Sequence, residues 1–237
     1  MNIADLDVKI FADGADIDGM LDMYRRGFVK GFTTNPTLMK KAGVKNYESF
    51  AKSVLSKIAD LPISFEVFSD DFKDMERQAR IINSWGKNVF VKIPVSNTEG
   101  KYSYGLIKTL SEDGVKINAT ALLTIEQVEN VLKALSGGAG AYISVFAGRI
   151  ADTGIDPEPV MKETASLCKT AVKVESLWAS TRQSYDIVRA AQCGVNIITV
   201  TNDILKKLNM FGKDLDELSL ETVKMFYNDA KESGFNI

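Results

Sequence analysis

The sequence predicts an α/β chain folded as a single (β/α)8 barrel with an additional C-terminal helix, and three observations carry that reading. Short β-rich runs recur about every twenty to thirty-five residues, eight in all. A segment of helical periodicity follows each run, which calls for parallel strands joined by right-handed crossovers, and eight such units suggest closure. Neither GxGxxG nor GxxxxGK[ST] occurs, although a doubly wound open sheet would ordinarily carry a glycine-rich phosphate turn after its first strand. The length of 237 residues, 45% hydrophobic and 25% charged, is near the usual size for one such barrel, so residues 1–237 are read as one domain.

The strands are expected at VKIFA from Val8, FVKGFTTN from Phe28, ISFEVF from Ile63, VFVKIP from Val89, KINATAL from Lys116, YISVFAG from Tyr142, KVESLWA from Lys173 and NIITVT from Asn196. The first helix carries Ile17, Met20, Leu21 and Tyr24 after the capping candidate Asp16, and Gly27 closes it. Similar periodicity runs from Tyr47 to Ala59, Asp71 to Asn83, Tyr102 to Ser111, Ile125 to Leu135, Glu158 to Lys169, Tyr185 to Gln192 and Asp203 to Asn209. A last helix over residues 216–233, with Leu218, Leu220, Val223, Phe226 and Tyr227 along one side, exceeds the eight-unit count. Its place is either a cap on the barrel or the surface of a neighbouring subunit.

Composition narrows the chemistry. The formal net charge of −2 gives no reason to expect nucleic acid or an anionic membrane as a partner, while an anionic small molecule stays open. Cys168 and Cys193 are the two cysteines, which excludes a disulfide framework and CxxC-type metal spacing and fits a reducing cytoplasm. The stretch MNIADLDVKIF has no basic segment followed by a long apolar one, and no run approaches the ~20 apolar residues of a membrane span. A soluble, unprocessed, cytoplasmic protein is expected. Histidine is absent, which removes the commonest general base and zinc ligand together with every Ser-His or Cys-His nucleophile system. Catalysis, if present, falls to carboxylates and lysine.

In a (β/α)8 barrel, polar residues at the carboxyl ends of the strands face the active-site mouth. Here those ends carry Asp13, Thr33 with Asn35, Glu66, Lys92, Asn118 with Thr120, Ser144, and Ser180 with Arg182 beyond the seventh strand. Asn118 and Thr120 are two apart and share a face, as do Ser144 and Phe146. Lys92 lies among Phe90, Val91 and Ile93, and burial in such surroundings favours the neutral, nucleophilic amine that Schiff-base chemistry requires. The bland alternative for Lys92 is a structural ion pair with Glu66, or a side chain that snorkels outward. Glu66 can shuttle protons or simply complete that pair, and Asp13 can serve the chemistry or the turn that leads to the cap at Asp16. Ser180-Thr181-Arg182 lies where barrels commonly bind phosphate, although, taken alone, a solvated loop arginine is more common. Arg149 offers a second anion ligand or a rim arginine paired with Asp152. TTNPT marks a helix entry, with Asn35 or Thr37 as cap.

The aspartate of FADGAD followed by GFTTNPTL, SFEVF, VFVKIP, INATALL, YISVFAGRI and WASTRQ, in that order over nearly the whole chain, resembles the transaldolases, in particular the small subfamily that includes bacterial fructose-6-phosphate aldolase. The resemblance implies Lys92 as Schiff-base lysine, Asp13 as acid/base for carbon-carbon cleavage, and Glu66 with Thr120 holding a proton-relaying water. It implies Asn35, Asn118 and Ser144 in binding the dihydroxyacetone part of the substrate, Phe146 as an aromatic wall, and Arg149, Ser180 and Arg182 at the phosphate end, and Thr33 is expected among the substrate-binding residues. No metal or organic cofactor is implied. The aldolase branch carries glutamine at the position of Glu66 and tyrosine at that of Phe146, so the resemblance at both positions is to the transferases. The expected activity is therefore transfer of a dihydroxyacetone unit from a ketose phosphate such as fructose 6-phosphate or sedoheptulose 7-phosphate to an aldose phosphate, as in the pentose phosphate pathway. The alternatives are a fructose-6-phosphate aldolase, a transaldolase for another anionic ketose such as a sulfosugar, and a non-catalytic sugar-phosphate-binding barrel. Pentameric or decameric homo-oligomers with exchanged C-terminal helices are common in the subfamily and are expected here.

Overall fold

The computed structural model describes residues 5–135 and 138–235. Strands β1 (Lys9–Asp13), β2 (Gly31–Thr33), β3 (Ile63–Glu66), β4 (Val89–Pro94), β5 (Ile117–Leu122), β6 (Ala141–Val145), β7 (Val174–Trp178) and β8 (Ile197–Thr201) pair in parallel in chain order. The sheet closes through β8 and β1, with Asp13 opposite Thr201. Helices α1 (Ile17–Arg25), α2 (Pro36–Lys41), α3 (Tyr47–Lys57), α4 (Phe72–Asn83), α5 (Tyr104–Glu112), α6 (Ile125–Ala134), α7 (Ala147–Asp152), α8 (Glu158–Lys169), α9 (Asp186–Gln192), α10 (Asn202–Leu205) and α11 (Leu215–Glu232) connect and surround them, with a 3-10 turn over Lys206–Met210 after α10. The expected (β/α)8 barrel is the fold observed.

Local chemistry explains where the helices begin. Asp16, Asn35, Asn46 and Asp71 each accept a backbone N–H of the first helical turn, and Thr124 forms a reciprocal capping box with Gln127. Two short helices lie outside the periodic segments read from the sequence, although TTNPT marked the entry to one of them. The first, α2, follows directly from the Asn35 cap and Pro36 at its first position. The second, α7, has only six residues and no side-chain cap, too little for a periodicity argument to detect. Strand β2 is three residues long where a longer run was read, because the chain leaves the sheet at the Asn35–Pro36 helix entry.

Alternation along the strands divides the apolar residues into two sets. Ile10, Phe32, Phe65, Val91, Ile117, Ile143 and Ile198 belong to the large core between sheet and helices. Phe11, Tyr142, Leu177 and Ile197, with Phe90 and Phe146 against them, form a separate cluster inside the barrel. The inner filling is therefore partly aromatic, whereas branched aliphatic residues dominate the interior of most such barrels. Tyr142 stacks on Phe90 at 4.1 Å between centroids and meets Phe11 edge-on at 5.7 Å. Gly31 makes room for this layer, since a Cβ there would lie 2.5 Å from the Phe11 ring.

Helix α11 buries none of its residues and leaves Leu215, Leu220, Val223, Phe226 and Tyr227 exposed. Among the described residues no helix is long and apolar enough to cross a membrane.

Candidate active site

Above the aromatic layer, the inward positions of the strands turn polar and line a cavity of about 540 Å³. Every side chain proposed from the sequence for catalysis or substrate binding lines it. A larger cavity of about 1150 Å³ lies at the other end of the strands, around Lys9, Glu175 and Asn196, and contains none of them.

Lys92 is 6% exposed, so its side chain does not snorkel outward. Its Nζ lies 3.0 Å from Glu66 Oε2 and donates to the Thr34 carbonyl, also at 3.0 Å. The register explains the first contact, because Glu66 and Lys92 are direct partners across β3 and β4. The ion pair considered from the sequence is thus formed, inside the cavity where a nucleophile would be needed.

Asp13 reaches the same space from β1. Thr33 donates to its Oδ1 at 2.7 Å, and since that uses the Thr33 proton, Thr199 must donate to the Thr33 hydroxyl across their 2.5 Å contact. Thr33 thereby orients Asp13. Burial pushes the Asp13 carboxyl above the usual aspartate range, the charge of nearby Lys92 and the Thr33 hydrogen bond oppose this, and Glu66 adds to it. Asp16, not Asp13, caps α1.

On the far wall, Asn118 donates from Nδ2 to Ser64 Oγ at 3.0 Å and accepts from Ser144 Oγ at 2.6 Å. These bonds fix the amide orientation and leave part of its capacity facing the cavity. Thr120 Oγ1 is buried with no hydrogen-bond partner among the described residues, so it offers its capacity to whatever occupies the site. Beside it Ala121 has φ 63°, at the break in register between β5 and β6, a strained conformation of the kind that collects at functional sites. Asn35 spends Oδ1 on Leu38 N–H as the α2 cap.

The opposite end of the cavity is built by the loop after β7 and by α7. Ser180 has φ 65°, and its carbonyl fills the space beside Gly148, where a Cβ would lie 1.7 Å from it. Buried Asp186 accepts the backbone N–H groups of Arg182 at 2.9 Å and Gln183 at 3.2 Å, and Thr181 Oγ1 donates to the Thr199 carbonyl at 2.7 Å. Arg182, and not Arg149, pairs with Asp152: its Nε lies 3.0 Å from Oδ1 and its Nη2 lies 2.5 Å from Oδ2. This pairing holds the Asp152 carboxyl below its usual range and pushes the Arg182 guanidinium further up. The Arg149 guanidinium lies 5.5 Å over the Phe146 ring.

Sequence reasoning missed several residues that shape the cavity. Thr199 sits on the one strand that had been given no polar station, though the alternation Ile197, Thr199, Thr201 carried the signal. Ser64 stands two residues before Glu66 and shares its face. Gly148 acts through contact with the loop of another unit, which no local pattern reveals, and Asp186 holds the amides three and four residues before it in its own loop.

Comparison with known proteins identifies the family of the chain. The family model described as Transaldolase/Fructose-6-phosphate aldolase matches residues 10–237. A Thermoplasma volcanium protein named "Probable transaldolase" is 36% identical over 229 residues, covering 94% of this chain and 99% of that protein. A Dehalococcoides mccartyi protein of the same name is 34% identical over 202 residues, covering 85% of this chain and 90% of its own length. The chain belongs to the transaldolase/fructose-6-phosphate aldolase family and is an enzyme of that type.

Proposed function

We propose that this enzyme is a transaldolase that carries a dihydroxyacetone unit from an anionic ketose to an aldehyde acceptor as an imine on Lys92. The observation that carries the proposal is the buried Lys92 amine, 3.0 Å from Glu66 Oε2, sharing one cavity with Asp13. Glu66 takes the proton that the amine must lose, and Lys92 Nζ attacks the C2 carbonyl of the ketose. Proton transfer through Glu66 and a water held with Thr120 converts the C2 hydroxyl of the carbinolamine to water, which departs and leaves an iminium. Asp13 removes the C4 hydroxyl proton, the C3–C4 bond breaks towards the iminium, and an aldose departs from an enamine. The enamine C3 then attacks the acceptor aldehyde, Asp13 returns the proton to the new hydroxyl, and water releases the longer ketose from Lys92. The raised Asp13 pKa suits a group that must both take and return a proton. Asn118 and Ser144 hold the hydroxyls of the three-carbon part, and Arg149, Ser180 and Arg182 orient the distant anion, so that binding energy there places the reacting carbons.

Borohydride treatment in the presence of fructose 6-phosphate or dihydroxyacetone, followed by peptide mass mapping, tests the covalent step. A reduced adduct on Lys92 is expected, and none across candidate ketoses would sink the proposal. Turnover that requires erythrose 4-phosphate separates transferase from aldolase.

A second reading of the donor rests on the Arg182–Asp152 pair. With one of two guanidinium charges offset by a carboxylate, the anion end carries a net single positive charge from Arg149, Arg182 and Asp152, which suits a singly charged terminus such as a sulfonate on a sulfosugar. Competition of the two ketoses in the same assay decides between them. The exposed apolar side chains of α11 support packing of this helix on a neighbouring subunit in a homo-oligomer, a pentamer or decamer, which light scattering that found only monomer would reject.

A further inference from the structure

Strand β2 ends one residue too early for its neighbour. The hydrogen bonds Phe32 N–H to Pro62 O and Thr34 N–H to Ser64 O set a register in which Glu66 N–H would next donate to Thr34 O, and residue 36 would donate to Glu66 O. Neither bond is formed. Residue 36 is proline, which has no N–H, and Thr34 O accepts the Lys92 amine. Glu66 would be left with two unpaired backbone groups at the edge of the cavity.

Tyr47, at the start of α3, fills both places with one hydroxyl. Its Oη accepts from Glu66 N–H at 2.7 Å and donates to Glu66 O at 3.1 Å. Its ring is held edge-on by Phe65 at 6.0 Å and by Trp85 at 5.3 Å, and lies 4.5 Å from the Phe68 ring. Burial keeps the phenol protonated well beyond neutral pH, so it remains a donor.

We propose that Tyr47 is a positioning residue that stands in for the missing part of β2, holding the Glu66 carboxylate on Lys92 while leaving the Thr34 carbonyl free to accept the lysine amine. Tyr47 touches neither substrate nor the reacting atoms; it acts through Glu66 and Thr34. The inference rests on Lys92 forming the imine. Without Tyr47, Glu66 N–H competes with Lys92 for Thr34 O, and both contacts of the amine loosen together.

Tyr47→Phe keeps the ring and removes the two hydrogen bonds. Single-turnover borohydride trapping of wild type and variant, with dihydroxyacetone at saturation, reads the rate constant of imine formation. It should fall by about tenfold, as expected for a small displacement of a reacting group, while KM for a ketose stays within about twofold. Trp85→Phe, which trims the packing on Tyr47 without touching its hydroxyl, should lower the melting temperature and leave the trapping rate constant unchanged. An unchanged rate constant in Tyr47→Phe, or equal losses in both variants, overturns the proposal. If Tyr47→Phe does not fold, 3,5-difluorotyrosine at position 47 replaces it. Its phenol ionises at lower pH and so loses its donation to Glu66 O, and a new alkaline decline in the trapping rate is expected. The absence of that decline counts against the role. Failure of the covalent mechanism is distinguishable, because wild type itself would then give no adduct.

Discussion

Replacing Gly148 by alanine tests how the proposed anion-binding end of the cavity is built. The added methyl carbon would lie 1.7 Å from the Ser180 carbonyl oxygen and 2.8 Å from its carbon, and 3.0 Å is about the closest approach a real Cβ makes. Ser180 and α7 must therefore separate by at least 3.0 − 1.7 = 1.3 Å. The loop has little slack, because Ser180 is already in a left-handed conformation, Thr181 is tied to β8, and Asp186 holds the two amides that follow. Overpacking of this kind costs about 1–3 kcal/mol of stability, measurable by urea unfolding. A misplacement of about 1 Å in a substrate-orienting group can cost on the order of a hundredfold in rate, or about 2.7 kcal/mol in barrier. kcat/KM for a phosphorylated or sulfonated ketose should therefore fall by roughly that factor, whereas borohydride trapping of unsubstituted dihydroxyacetone on Lys92 should change by no more than about twofold. Gly105→Ala is the control, since a Cβ at that exposed position in α5 meets nothing within 4 Å. A folded Gly148→Ala protein with wild-type kcat/KM for anionic ketoses would refute this account of the loop, and equal losses with both substrates would point to general damage.

Other outcomes follow from burial and space. The Asp13 carboxyl is raised in the folded state, so its ionisation opposes folding once the pH exceeds its folded pKa and has no such effect below the unfolded value of about 3.9. Asp13→Asn should accordingly melt above wild type at pH 8, with the gain shrinking as the pH falls towards about 4, even as transfer activity is lost. A pH-independent difference would contradict that assignment. Gly31→Ala should destabilise by about 1–3 kcal/mol because of the Phe11 ring, and trimming that ring with Phe11→Leu should restore part of the loss in a double-mutant cycle. Burial pushes the Cys168 thiol up to about 12, so at pH 8 only about one part in ten thousand is thiolate and a thiol reagent should label Cys168 at the rate of unfolding. Fast labelling of the native protein would show the site to be open.

The barrel and most of the side chains at its mouth were legible in the sequence because both are written in short-range patterns. Strand alternation predicts which side chains face inward, and the strand-end rule places the chemistry at one mouth; together these brought Asp13, Glu66, Lys92 and Asn118 into view before any contact was known. The absence of histidine further narrowed the chemistry to amine and carboxylate. Periodicity could not resolve six-residue helices such as α2 and α7, and it overran β2, whose end is set by the backbone demands of Asn35 and Pro36.

Tertiary structure decided the partnerships. Arg149 was the arginine read as a possible partner of Asp152, and the packing of α7 against the β7 loop gave the carboxylate to Arg182 instead. Thr33, read as a substrate ligand, faces Asp13, and Tyr47, read as one more helical residue, closes the backbone of Glu66. Such assignments depend on distances between residues far apart in the chain, as with the 19 positions that separate Tyr47 from Glu66. The sequence by itself therefore determined the frame and the kinds of chemical group at its mouth. Which hydroxyl or carboxylate meets which partner was left to closure of the barrel, because a hydrogen bond is selected over a few ångströms in space and a residue pattern has no measure of that distance.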